Sequence, residues 1–81
     1  MKKRRFGVVD IDVVTDPALS LRAKGLYALL STYADKERSC YPSINTLAEY
    51  SGTSRRTIER ALRELEDSNY ITRNNRVFTL K

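Results

Sequence analysis

The stretch INTLAEYSGTSRRTIERALR, from Ile44 to Arg63, restricts the fold more than any other part of the chain. Ile44, Leu47 and Ala48 repeat at i, i+3 and i+4, and beyond Gly52 the same spacing restarts with Ile58, Ala61, Leu62 and Leu65. Apolar residues at this spacing collect on one face of a helix. Two short helices thus follow one another with a turn of three to four residues between them, and both can bury their stripes if they cross. Gly52 suits the turn because glycine takes the left-handed conformation at a helix C-terminus without steric cost. Ser43 is the expected N-cap of the first helix and Ser54, with Thr53 as the alternative, that of the second, each hydroxyl accepting from an otherwise unpaired backbone N–H. The helices are expected over about Ile44 to Tyr50 or Ser51 and from Ser54 to about Ser68.

The second of these helices has two opposed faces. At about 100° per residue, Arg56, Arg60 and Arg63 project away from the Ile58, Ala61, Leu62 and Leu65 stripe, with Thr57 and Glu59 on the flanks. Ala48 is small where the helices cross, and Ile58 anchors the second so that its polar face stays exposed. This fits a helix-turn-helix, in which the second helix enters the major groove of duplex DNA. Arginine suits that face because its fork bonds the two acceptors of a guanine edge or a phosphate.

Tyr70 to Arg73 and Arg76 to Leu80 alternate and flank Asn74 and Asn75, a two-residue loop of the kind that tolerates positive φ. Counting outward pairs Arg73 with Arg76 and Ile71 with Phe78, turns Ile71, Phe78 and Leu80 inward, and leaves two arginines at the tip. The expected fold class is mainly α with a small β-hairpin, a winged helix-turn-helix, in one domain over residues 1–81.

Upstream, residues 1–5 form a basic arm, read either as a solubilising terminus or as a contact to phosphate or the minor groove. FGVVDIDVV, from Phe6 to Val14, is β-branched and partly alternating, which predicts a short strand with Val9, Ile11 and Val13 inward and Asp10 and Asp12 outward. Pro17 marks a break, Ser20 caps, and a helix is expected over about Leu21 to Ala34 with Leu26, Leu29, Leu30 and Tyr33 as its stripe. Gly25 beside that stripe is expected to let another backbone approach. DKERSCY, from Asp35 to Tyr41, reads as a polar connection, and Glu59 with Arg63 and Arg60 with Glu64 as i, i+4 pairs.

Composition narrows the function classes. A net charge of +5 on 81 residues with 41% hydrophobic content implies a folded basic body and a polyanionic partner. One cysteine precludes an internal disulfide, and the absence of histidine precludes Cys/His zinc sites. Asp10 and Asp12 break the apolar run after the basic start, so neither signal peptide nor membrane span is expected, and the setting is cytoplasmic. No cofactor, metal or catalytic set is expected. Tyr27, Tyr33, Tyr41, Tyr50 and Tyr70 are scattered and read as core edges, and Cys40 as a small, partly buried loop residue.

The segment LSLRAKGLYALLSTYADKERSCYPSINTLAEYSGTSRRTIERALRELEDSNYI resembles the helix-turn-helix module of plasmid and phage replication initiators and related small bacterial regulators. LSLRAKGLYALL, YPSINTLA and SRRTIERALRELE carry the likeness, which covers about Leu19 to Ile71. It implies a winged-helix fold and sequence-specific duplex binding, with Ser54, Arg55, Arg56, Thr57 and Arg60 where such modules meet DNA. Initiators carry further domains, whereas this sequence stops after the wing, so a stand-alone accessory or regulator is the expectation.

The expected partner is double-stranded DNA, bound by a homodimer or by copies on repeated sites. Arg56 and Arg60 are assigned to base edges, Arg55 and Ser54 to bases or phosphate, Thr57 to either, and Arg63 and the helix start at Ser43 to phosphate. Arg73 and Arg76 are assigned to the minor groove or flanking phosphates. The alternative for each arginine, weighed below the DNA contact, is a solvated helix face or hairpin tip. The rival classes are a protein-interaction adaptor, which the arginine face argues against, and a metal-dependent or tyrosine-based DNA-nicking enzyme, for which no catalytic set is visible.

Overall fold

The computed structural model describes residues 8–75 and 77–81. In chain order the elements are α1 (Ile11–Val14), α2 (Leu21–Tyr33), β1 (Ser39–Cys40), α3 (Ile44–Ser51), α4 (Arg55–Asp67), β2 (Ile71–Asn74) and β3 (Val77–Leu80). The basic arm and Phe6 lie outside the described residues.

Local chemistry sets where the three main helices begin. Ser20, Ser43 and Ser54 each hold extended backbone, and their hydroxyls accept from the N–H groups of Ala23, Thr46 and Thr57. α3 ends on Gly52, whose φ of 64° lets its N–H turn back to the carbonyls of Ala48 and Glu49. The tight turn and the crossing of α3 over α4 follow. Leu26 and Leu30 from α2, Leu47 and Ala48 from α3, and Ile58, Ala61, Leu62 and Leu65 from α4 then share one core with Ile71, Phe78 and Leu80 of the sheet.

The first predicted strand is instead a helical turn. Asp10 caps it, its carboxylate accepting from the Asp12 N–H at 2.9 Å, and the Asp10 carbonyl accepts from Val13 and Val14 at 3.1 and 3.3 Å. A strand would need a neighbour to satisfy these groups, whereas the turn satisfies them locally. Val13 is fully buried and Val9 packs half-buried against the core, whereas Ile11 is 72% exposed. The supposed polar connection holds the other surprise. Asp35 accepts from the N–H groups of Glu37 and Ser39, Arg38 takes a φ of 63°, and Ser39–Cys40 pairs antiparallel with β3. Sheet order is β1-β3-β2.

The hairpin register also differs from the expected one. Ile71 faces Leu80, Thr72 faces Thr79, Arg73 faces Phe78 and Asn74 faces Val77, so Asn74 belongs to the paired strand and not to the loop. Asn75 carries the positive φ, at 56°. The slip moves each partner by two positions, so inward and outward faces keep their parity and Ile71, Phe78 and Leu80 remain buried. With this three-stranded antiparallel sheet beside the helices, the fold is a winged helix-turn-helix.

Two ties join the ends of the chain to this body. Tyr27, fully buried, donates to the Lys81 carbonyl and accepts from Arg38, whose other nitrogen reaches the Val8 carbonyl. Tyr70 donates to Asp16 at 2.7 Å, which holds the Asp16 carboxyl below the usual carboxylate range, helped by the Ala18 N–H, and pushes the Tyr70 phenol up to about 12. Gly25 does not serve a close approach: a Cβ there would meet nothing within 4 Å.

The two helical glycines should therefore respond oppositely to alanine. Gly25→Ala should stabilise by about 0.5–1 kcal/mol, while Gly52→Ala, forced into the left-handed region, should destabilise by about 1–2 kcal/mol, both read by urea unfolding. The Asp16–Tyr70 contribution should be present above pH 3.8 and fade as pH falls through the depressed Asp16 value; at the alkaline end it should be present below pH 10.0 and fade as pH rises through about 12. Unfolding midpoints across pH should lose the alkaline dependence in Tyr70→Phe and keep only a weakened acid one, which the Ala18 N–H sustains.

Candidate nucleic-acid interface

Burial of the α4 stripe fixes what the opposite face shows. Ile58, Ala61, Leu62 and Leu65 are at most 3% exposed, so Arg55, Arg56, Arg60 and Arg63 are turned to solvent. Among the described residues none of these four arginines makes an ion pair or a side-chain hydrogen bond. Guanidinium groups so exposed are free to meet an anion, those of Arg56, Arg60 and Arg63 on the face opposite the stripe and that of Arg55 on the flank toward the wing. Arg56, Glu59, Arg60 and Arg63 line a shallow depression of about 230 Å³ along that face.

The expected i, i+4 pairs do not form, because both carboxylates are taken by other elements. Glu64 accepts from the Ser20 N–H and hydroxyl at 2.9 and 2.7 Å, which ties α4 to the start of α2. Glu59 accepts from Arg73 of the wing, Nη1 to Oε2 at 3.1 Å and Nη2 to Oε1 at 3.5 Å. With side chains 30% and 48% exposed, such a pair contributes only about 0.2–1 kcal/mol, so its consequence is orientation more than stability. Arg73 also lies over Phe78, its guanidinium carbon 5.5 Å from the ring centroid. It faces α4 and pairs with Phe78 within the hairpin, so it is not at the wing tip. Arg76 lies outside the described residues.

The remaining candidates divide by environment. Ser43 and Ser54 are exposed, but their hydroxyls are occupied: each accepts from the N–H three residues on and pairs with that residue's hydroxyl, Ser43 with Thr46 at 3.0 Å and Ser54 with Thr57 at 3.1 Å. Thr57 is half-buried. Between the start of α3 and the wing, Tyr41, Ser43, Asn45, Arg55 and Arg73 line a cleft of about 460 Å³. On the other flank of α4, exposed Arg22 joins Thr57 and Arg60 around a smaller cleft of about 180 Å³. Arg22 has no helical periodicity relating it to the α4 face. The packing of α2 on α4, fastened by the Ser20–Glu64 tie, brings it there, so sequence spacing does not reveal it.

A family model for the helix-turn-helix domain matches residues 18–71, two thirds of the chain. The chain belongs to the helix-turn-helix domain family. Neither a curated protein nor a solved structure matches it. The match spans α2 through the start of β2, and so includes the α4 arginines and the turn at Gly52. Membership of this helix-turn-helix family points to DNA as the partner.

Among the described residues no three His, Cys, Asp or Glu side chains stand close enough to hold a metal ion, and no helix is long and apolar enough to cross a membrane. Tyr41 and Tyr50, expected at core edges, are 63% and 69% exposed, whereas Tyr27 is fully buried. Cys40 is not a partly buried loop residue: it is fully buried in β1, its thiol donates to the Phe78 carbonyl, and burial pushes its pKa up to about 11. A thiol so protonated and enclosed is a poor nucleophile. Cys40 in the folded helix-turn-helix protein should resist a water-soluble disulfide reagent at neutral pH, and absorbance assays should show it reacting only at the rate at which the chain opens.

Proposed function

We propose that this protein binds double-stranded DNA sequence-specifically through α4, as a regulator or accessory factor of a plasmid, phage or other mobile element. The observation that carries the reading is the set of four arginines on α4, exposed and without a side-chain partner among the described residues, on a helix whose other face is locked into the core. The likeness of LSLRAKGLYALL, YPSINTLA and SRRTIERALRELE to initiator and regulator modules supports the mobile-element setting, and with it a cytoplasmic site of action.

In this reading Arg56 and Arg60 meet base edges in the major groove, Arg55 and Ser54 meet bases or phosphate at the helix start, and Thr57 either. Because the Ser54 hydroxyl is used in capping, its share falls to the backbone end of the helix. Arg63 meets phosphate farther along the helix. The start of α3 at Ser43 takes a phosphate through its N–H end, and Arg22 adds a phosphate contact on the flank away from the wing. Arg76 serves the minor groove or flanking phosphate. Two copies, as a homodimer or on repeated sites, would extend the contact over a second major groove.

Fluorescence anisotropy with a duplex selected from a random pool tests this. Affinity should fall steeply with salt, and Arg56→Ala should cost about 1–3 kcal/mol and relax discrimination at one base position. Equal binding of selected and random duplexes would contradict base reading.

A further inference from the structure

We infer that Arg73 is a positioning residue that sets the specificity of α4: it holds Glu59 against the wing, so that the carboxylate standing among the α4 arginines neither repels the duplex nor reads a base. The inference rests on the duplex-reading role proposed for α4. Glu59 shares a depression with Arg56, Arg60 and Arg63 and is exposed, so its charge lies on the face that would approach phosphate. A free glutamate there would oppose the backbone and could accept from the amino group of a cytosine.

The geometry removes both effects at once. The pairing of Arg73 with Phe78 across the hairpin puts the two side chains on the same side of the sheet. Phe78 is 2% exposed and packed in the core, and the Arg73 guanidinium rests 5.5 Å from its ring centroid. From that seat the guanidinium presents two nitrogens to the two oxygens of Glu59, at 3.1 and 3.5 Å. A fork held by a buried ring defines a direction as well as a charge. Arg73 therefore acts on DNA through Glu59, and the other arginines of α4 keep the face net cationic.

The test compares the full chain with Arg73→Gln, Glu59→Gln and the double variant, each by site selection from a random duplex pool and by anisotropy across salt. Glutamine retains part of the aliphatic stem along Phe78. Arg73→Gln should lower affinity for the parent site by about tenfold and gain a preference for cytosine at one position. Its salt slope should be unchanged, since no phosphate contact is lost. Glu59→Gln should bind within about twofold of the parent, and the double variant should lose the cytosine preference and recover to within about threefold. A merely structural role for Arg73 would not create a base preference that a second substitution at Glu59 abolishes.

Should Arg73→Gln fail to fold by circular dichroism, Arg73→Met, which keeps an apolar stem along Phe78 and removes the charge, supplies the same comparison. The inference is overturned if the Arg73 variant lowers the salt slope by about 0.9 with or without Glu59 and selects the parent site unchanged, the result for direct phosphate contact. If the parent chain itself does not separate selected from random duplex, the α4 reading fails and this inference with it.

Discussion

Burial of the α4 stripe against α2 and α3 is the interaction on which the remaining features depend. Ile58, Ala61, Leu62 and Leu65 meet Leu26, Leu30, Leu47 and Ala48 in a core where several of these side chains have no exposure at all. A helix has only one face to bury, so the packing that stabilises the fold also decides which way the arginines point. The orientation of Arg56, Arg60 and Arg63 is thus a product of apolar packing, because none of them needs a polar partner inside the protein. Gly52 and the Ser54 cap set the angle and the first residue of α4, and through them the height of each arginine along the exposed face.

Polar ties from other elements hold this unit in place. Glu64 fastens the middle of α4 to Ser20 at the start of α2, and Glu59 fastens its N-terminal half to the wing through Arg73. The wing in turn is seated by β1 and by the Tyr27 hydroxyl, which joins Arg38 and the Lys81 carbonyl. Both carboxylates that would otherwise pair along α4 are thereby directed to its flanks. The consequence is a helix whose four arginines are exposed and without a side-chain partner among the described residues, with Glu59 and Glu64 engaged at its edges.

The sequence makes the local features legible and leaves the nonlocal ones hidden. The bounds of α2, α3 and α4, their serine caps and the left-handed Gly52 follow from spacing and from residues within a few positions of each helix end. The segment from Phe6 to Val14 misleads because Val9, Ile11 and Val13 alternate like a strand, while the decisive interaction is the Asp10 carboxylate accepting from Asp12. β1 is two residues long and exists only because β3 lies beside it, so Ser39 and Cys40 carry no periodic signal. At the hairpin, two adjacent asparagines can each take positive φ, and burial of Ile71, Phe78 and Leu80 fixes the face but not a slip by two. The site divides in the same way: the α4 arginines are visible from helical periodicity, whereas Arg22 and the Arg73–Glu59 pair depend on elements distant in the chain.

The central claim is that the face of α4 opposite the core meets duplex DNA. It is tested most directly by following backbone amide chemical shifts of the isotopically labelled chain during titration with a duplex selected for binding. The account predicts saturable changes concentrated from Ser54 to Arg63, with smaller ones at Ser43, Asn45 and the wing. Changes confined to α1 and the Asp35–Arg38 turn, with the amides of α4 unmoved, would contradict it.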